Sequence, residues 1–327
     1  MKEKKNKPLI QTVLLIIILA ILVWVYFSFS QNNKKAEASS SKDNLITPFR
    51  KSSIQTIRIK SRDIPEPLLL TNNRNIWYLT SPLQDKADPE SIDSALTAIL
   101  SFKSDRVFND ITKEDIESFG LDNPQIIITL SDLQKEILYI AIGAQDSSGA
   151  KLYMQVSRNP LSVYLIPIEQ FTSILKMPDQ YRDKDLFNIP PEDISSVEII
   201  SKDKKSVLLV NESLSNQNFI LKKPVLTDAD DTKVKTLILG FYALAASQFI
   251  TNHPSQPSLK EYGLLNPEYT VIIKSENGTT NWIRISSTSD KSIFTVFSSL
   301  KDSIVTIQSE NLQELLTTDP SNLILLK

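Results

Sequence analysis

Past residue 50, short apolar bursts alternate with turn-forming residues. Ile54, Ile57 and Ile59, then Leu68 to Leu70, then Ile76 to Leu79 predict three strands, and Pro82 ends the third. Asp88-Pro89-Glu90 predicts a helix start, with Asp88 as N-cap and Pro89 at the first helical position. Ile92, Leu96, Ile99 and Leu100 then form one apolar stripe at helical spacing. Thr112-x-x-Asp115 opens a shorter helix. Gly120 suits the left-handed position past that helix, and Leu121 can fold back as the accompanying apolar contact. Asn123-Pro124 turns the chain, because a residue before Pro avoids the helical region. Ile126 to Leu130, Ile137 to Ile142, Leu152 to Val156 and Val163 to Ile166 predict four more strands, and Ile168 to Met177 a closing helix.

The same signals return further along. Phe119-Gly120-Leu121-Asp122-Asn123-Pro124 comes back as Tyr262-Gly263-Leu264-Leu265-Asn266-Pro267. Ile194 and Val197 match Ile54 and Ile57. Phe219-Ile220-Leu221-x-x-Pro224 matches Trp77-Tyr78-Leu79-x-x-Pro82. Asp230 matches the N-cap Asp88, and Ser255 matches Thr112. Strands follow at Tyr269 to Ile273, Ile283 to Ile285, Ile293 to Phe297 and Ile304 to Ile307, then a closing helix at Leu312 to Leu316. The expected fold class is α+β: two tandem repeats of one domain, each a mainly antiparallel sheet with packed helices. The first repeat is expected at 50–186 and the second at 187–327.

The beginning of the chain has a different pattern. Residues 1–8 are basic, and Leu9 to Phe29 is apolar except for Gln11, Thr12 and Ser28. About 20 such residues span a bilayer core, so 9–30 is expected to be a transmembrane anchor following an N-terminal transmembrane helix topology. Trp24 and Tyr26 suit the far interface, and the basic flank favours a cytoplasmic N-terminus with the bulk extracytoplasmic. Ala36-Glu37-Ala38 keeps a cleaved signal peptide as the alternative. Residues 31–49, rich in Ser, Asn and Lys, are expected to form a flexible tether.

Composition narrows the chemistry. Formal net charge is −2 over 327 residues, and residues 1–45 hold seven Lys against three acids, so the remainder is acidic. That argues against nucleic acid, which needs a concentrated basic face. With no Cys there is no disulfide, thiolate nucleophile or thiolate metal site. The six Gly form none of the common phosphate-cradling loops.

Several features together resemble the uncharacterised bacterial domain-of-unknown-function family 4340. They are the aromatic-x-Leu-x-x-Pro strand end (Trp77 to Pro82), the Asp-capped helix, the Gly-Leu-x-x-Pro turn (Gly120 to Pro124), and Ile142-Gly143 followed by a strand with Tyr153. The resemblance covers nearly all of 50–327 in two copies. The second copy departs from it, with Ile285-Ser286 for Ile142-Gly143 and Phe219 for Trp77. It implies single-pass extracytoplasmic proteins, some associated with gliding-type ABC transporters. It carries over no catalytic residue.

No catalytic, cofactor or metal residues are assigned. The motif residues Trp77, Pro82, Asp88, Gly120, Leu121, Pro124, Pro224, Asp230, Gly263, Leu264 and Pro267 read as structural. Thr227 to Asp231 suggests a calcium loop but lacks the EF-hand's Gly and bidentate Glu. The acidic cluster Asp110, Glu114, Asp115 and Glu117 reads as a solvated helix start. His253 is the only histidine, so no second His exists to build a His-based metal site or relay. Arg182-Asp183-Lys184 reads as a solvated linker, with a role in fixing the angle between repeats as the alternative. The expected function is a non-enzymatic, membrane-anchored accessory protein that binds another membrane or envelope protein, such as an ABC-transporter component. One alternative is a sugar or peptide receptor whose site lies between the repeats and is lined by Tyr153, Tyr164 or Tyr242. The other is a cell-envelope hydrolase using paired carboxylates.

Overall fold

The structure is a computed structural model that describes residues 50–325, apart from 134, 136, 204–205, 214–217, 291 and 309–311. It divides into two compact units, one running through Tyr181 and the other starting at Arg182.

The first unit contains β1 (Ile54–Ser61), β2 (Leu68–Asn73), β3 (Ile76–Ser81), β4 (Asp85–Lys86), α1 (Pro89–Leu100), β5 (Arg106–Asn109), α2 (Lys113–Ser118), β6 (Ile126–Asp132), β7 (Ile137–Gln145), β8 (Lys151–Val156) and β9 (Ser162–Pro167). All nine strands lie in one antiparallel sheet, in the order β4-β3-β2-β1-β6-β7-β8-β9-β5. The chain builds one half as a meander and leaves from the β4 edge. It passes through α1 to the opposite edge, lays down β5, and returns through α2 to the centre, where β6 joins β1. Alternation along the strands sets the core face. In β8, Leu152, Met154 and Val156 are buried while the residues between them are half-exposed. α1 places Ile92, Ala95, Leu96 and Ile99 on that face, and the Ile and Leu side chains each contribute about 1.5–3 kcal/mol by burial.

The second unit contains β10 (Ile194–Ser201), β11 (Val207–Ser213), β12 (Asn218–Lys223), β13 (Thr227–Asp228), α3 (Asp231–Tyr242), β14 (Gln248–Asn252), α4 (Gln256–Glu261), β15 (Tyr269–Ser275), β16 (Thr280–Ser287), β17 (Ile293–Ser298), β18 (Ser303–Gln308) and α5 (Leu312–Leu316). Its sheet runs β13-β12-β11-β10-β15-β16-β17-β18-β14, the same order as the first.

Both helix starts are tied down in the same way. Asp88 accepts a hydrogen bond from the Ser91 backbone N–H, and its own N–H donates to Tyr181 O at 2.8 Å. Asp230 accepts from Thr232 and Lys233, and its N–H donates to Leu323 O at 2.8 Å. Ala87 and Ala229 each donate to the aromatic of the preceding strand, at Trp77 O and Phe219 O.

The expected α+β balance is overturned. Two nine-stranded sheets dominate, and of the five α-helices among the described residues three have only five or six residues. Two causes account for this. Four strands went unseen, because β4, β5, β13 and β14 are short and interrupted by polar residues. The closing helix expected at 168–177 is instead a 3-10 turn at Ile168–Phe171, with a second at Pro178–Tyr181. Pro167 and Pro178 bracket the stretch, and its two buried apolar residues, Phe171 within the turn and Ile174 just after it, pack on the core without a longer helix. The membrane-spanning helix expected at 9–30 lies outside the described residues; among those described, no helix is long and apolar enough to cross a membrane.

The solvated-linker reading of Arg182-Asp183-Lys184 is also overturned at its first two residues. Arg182 is 2% exposed and Asp183 4%. Arg182 donates to Asn252 Oδ1 at 2.9 Å and to Ser303 Oγ at 2.7 Å, and its guanidinium lies 3.5 Å from the Phe249 ring centre. The buried Lys301 ammonium donates to Asp183 O at 2.6 Å and stands 3.4 Å from its carboxylate. Sequence reading missed this cluster because its members come from three separate segments.

Candidate functional site

The two Gly-Leu turns are C-caps. Gly120 has φ +65° and Gly263 φ +73°. In the first, Gly120 N donates to Glu117 O and Leu121 N to Ile116 O; in the second, Gly263 N donates to Lys260 O and Leu264 N to Leu259 O. This is the paired bonding of the Schellman motif, which satisfies carbonyls the helix leaves open. Leu121 and Leu264 are buried, and Pro124 and Pro267 are half-buried at the turn into the next strand. Each turn packs a small second cluster. In the first unit Phe119 stacks on Tyr153 at 4.3 Å beside Phe108; in the second, Leu259, Leu264 and Ile304 pack together with Tyr262 and Phe297 alongside.

The acids singled out in the sequence serve the backbone. Asp115 accepts from both the N–H and the hydroxyl of Thr112, completing a capping box. Those two bonds, the backbone one foremost, hold its carboxyl below the usual carboxylate range. A depressed folded-state pKa gives stability that is present above the unfolded value and lost as pH falls through the folded one. Acidification below about pH 4 is therefore expected to fray the start of α2. Amide exchange at Thr112 and Asp115 would read this, and protection unchanged to lower pH would contradict it. Glu117 makes an exposed 3.9 Å pair with Lys113. In the candidate calcium loop, Asp230 is the cap described above and Asp231 Oδ1 accepts from Phe219 N. His253, at φ +48°, sits on the turn after β14 with Nδ1 2.5 Å from Asp302 Oδ2, and both side chains are largely exposed. Among the described residues, no three His, Asp or Glu side chains are grouped to hold a metal ion.

Of the aromatics named for a cleft, two are engaged within the first unit. Tyr153 stacks on Phe119, and buried Tyr164 accepts at its hydroxyl from Asn159. Tyr242 is exposed on α3.

The feature best built to hold something is a cavity of about 430 Å³ in the first unit. Its floor is Ile59 at the end of β1, Leu68 at the start of β2, and Ile174, all buried. Its lips are Ile64, Leu175 and Met177, which are 48%, 40% and 63% exposed. Pro65 and Pro67 stiffen the loop that carries Ile64. Pro82, after a cis Ser81-Pro82 bond, lines one side. Only Ser61, Glu66 and Lys176 bring polar groups to the wall. The Lys176 ammonium reaches Ser91 Oγ at 3.3 Å, so its methylene stem is the part that lines the cavity.

The second unit has a cavity of about 530 Å³ at the same place, between Ile199, Val207, Pro224 and the segment 316–321. Pro224 also follows a cis bond. Its wall is more polar. Thr317, Thr318 and Asp319 stand where the first unit has Leu175, Lys176 and Met177. Sequence reading missed both cavities. The signal it passed over was the pair of exposed apolar residues Leu175 and Met177 in a segment assigned to a closing helix.

Residues 77–267 match the family described as Domain of unknown function (DUF4340). The chain belongs to this family. The DUF4340 match begins at Trp77 on β3 and ends at Pro267, so it takes in both Gly-Leu turns, both capped helices and both cis prolines. No curated protein matches this DUF4340 chain.

Proposed function

We propose that the chain is a non-enzymatic, membrane-tethered extracytoplasmic accessory protein that presents binding surface to an ABC-transporter or gliding-type envelope complex, and that its two units are two copies of one domain. The tether reading rests on the apolar stretch 9–30, with the basic residues before it and the polar 31–49 after it.

The observation that carries the binding reading is that the two units share one strand order but differ on their outward faces. Strand order, capped helix, cis proline and Gly-Leu turn are the same. The outward positions are not. α3 exposes Leu239 and Tyr242, one turn apart, where α1 carries Thr97 and Leu100. An exposed apolar pair on a helix whose other face is already buried is the kind of surface a partner covers.

Photocrosslinking in intact membranes tests this. A photoreactive residue placed at Leu239 or Tyr242 of the full chain is expected to capture a membrane-complex subunit, and one at Thr97 to capture none. Recovery of no protein adduct from either α3 position would defeat the proposal.

A further inference from the structure

We propose that the apolar cavity of the first unit is a binding site for a single long hydrocarbon chain of the fatty-acyl class, with the polar end of the amphiphile left in solvent at the mouth. This inference rests on the membrane-side placement proposed above, because only there is such a ligand abundant.

Three observations select the occupant. The first is depth: the lips are exposed while the floor of Ile59, Leu68 and Ile174 is buried, so the space runs inward from the ends of the strands. A thin flexible chain can reach such a floor. A helix, about 10–12 Å across with its side chains, needs an open trough.

The second is the absence of a free strand edge at the cavity. β1, β2 and β6 supply its strand residues, and each is already hydrogen-bonded to a neighbour on both sides. An extended peptide that binds by joining a sheet needs unpaired N–H and C=O groups, and here it would find none.

The third is the wall. At about 430 Å³ the volume falls in the range of ligand sites, and the lining is mostly Ile, Leu, Met and Pro. A ligand rich in hydrogen-bonding groups would leave them unpaired there. The second unit keeps the cavity but lines its segment 317–319 with Thr, Thr and Asp. The fold therefore tolerates a polar wall at this place, and the apolar wall of the first unit is not required for folding.

The test uses the full chain in its own membrane. Cells expressing it are fed a long-chain fatty acid bearing a terminal diazirine and irradiated, and adducts are mapped by mass spectrometry. Adducts are expected in 174–178 and 64–68 and not in the equivalent segment 316–321. Leu175→Asp and Ile64→Asp change exposed lip residues, so the fold should survive. Each is expected to cut slot labelling by about tenfold with the melting temperature unchanged. Absence of adducts at the slot, labelling equal at 316–321, or labelling unaffected by both variants would overturn the proposal, as would a partner-protein segment crosslinked there instead. Loss of protein crosslinks at Leu239 with slot adducts retained would defeat the accessory-protein reading and leave the slot standing.

Discussion

Gly143→Ala is expected to lower the stability of the first unit by about 2–3 kcal/mol, the upper part of the range for overpacking. For a unit of this size that is a melting-temperature drop of about 6–12 °C. A Cβ at this position would stand 2.2 Å from Phe119 O and 3.1 Å from Gly120 O. Both are backbone atoms and cannot rotate away. Phe119 O is also fixed as the acceptor of Ala144 N at 2.8 Å. That bond forms because β7 loses register against β8 between Ile142 and Gln145, which swings Gly143 and Ala144 toward the α2 turn. The added methyl must therefore push the turn off the strand and lift Phe119 from Tyr153. The second unit supplies the control. There β16 and β17 keep register through Ser286, whose hydroxyl donates to Gly263 O at 3.0 Å. Ser286→Ala removes only that bond, worth about 1 kcal/mol. Equal losses from the two substitutions would refute the contact argument.

The same pair shows what a sequence reveals. The Gly-Leu turns were legible because a Schellman cap is local: helix end, left-handed Gly and returning Leu lie within six residues. The N-caps at Asp88 and Asp230 were legible for the same reason. The reason for Gly143 was not, since the carbonyl it accommodates belongs to a turn 24 residues earlier in the chain. β5 and β14 escaped detection because Arg106, Asn109, Gln248 and Asn252 break any alternation; only pairing with β9 and β18 makes those segments strands. The fold class was misjudged through these omissions. The apolar slot was hidden for a related reason. It is assembled from the ends of three strands and three connecting segments, and no window of sequence contains it.

Arg182→Ala is expected to cost the second unit about 3–5 kcal/mol, from the loss of two charge-assisted hydrogen bonds and of the buried side chain's packing. Arg182 sits at the start of that unit, yet its guanidinium donates to Asn252 and Ser303, 70 and 121 residues later. Asn252 ends β14, an edge strand paired only with β18, and Phe249 on the same strand stacks against the guanidinium at 3.5 Å. The arginine thus clamps the last strand of the sheet to the first residues of the unit. Truncation leaves a cavity beside Phe249 and removes the Arg182 donor from Asn252 Oδ1, while Ser303 Oγ still donates to it at 2.9 Å. Arg182→Lys should recover little, because one ammonium cannot reproduce a planar fork that contacts two acceptors and a ring face. The effect should also be local before it is global. Amide exchange in β14 is expected to accelerate ahead of β15 and β16, since an edge strand opens without disturbing the centre of the sheet. Uniform acceleration across the whole sheet would mean that Arg182 supports the core generally, and unchanged exchange in β14 would mean that the clamp contributes nothing.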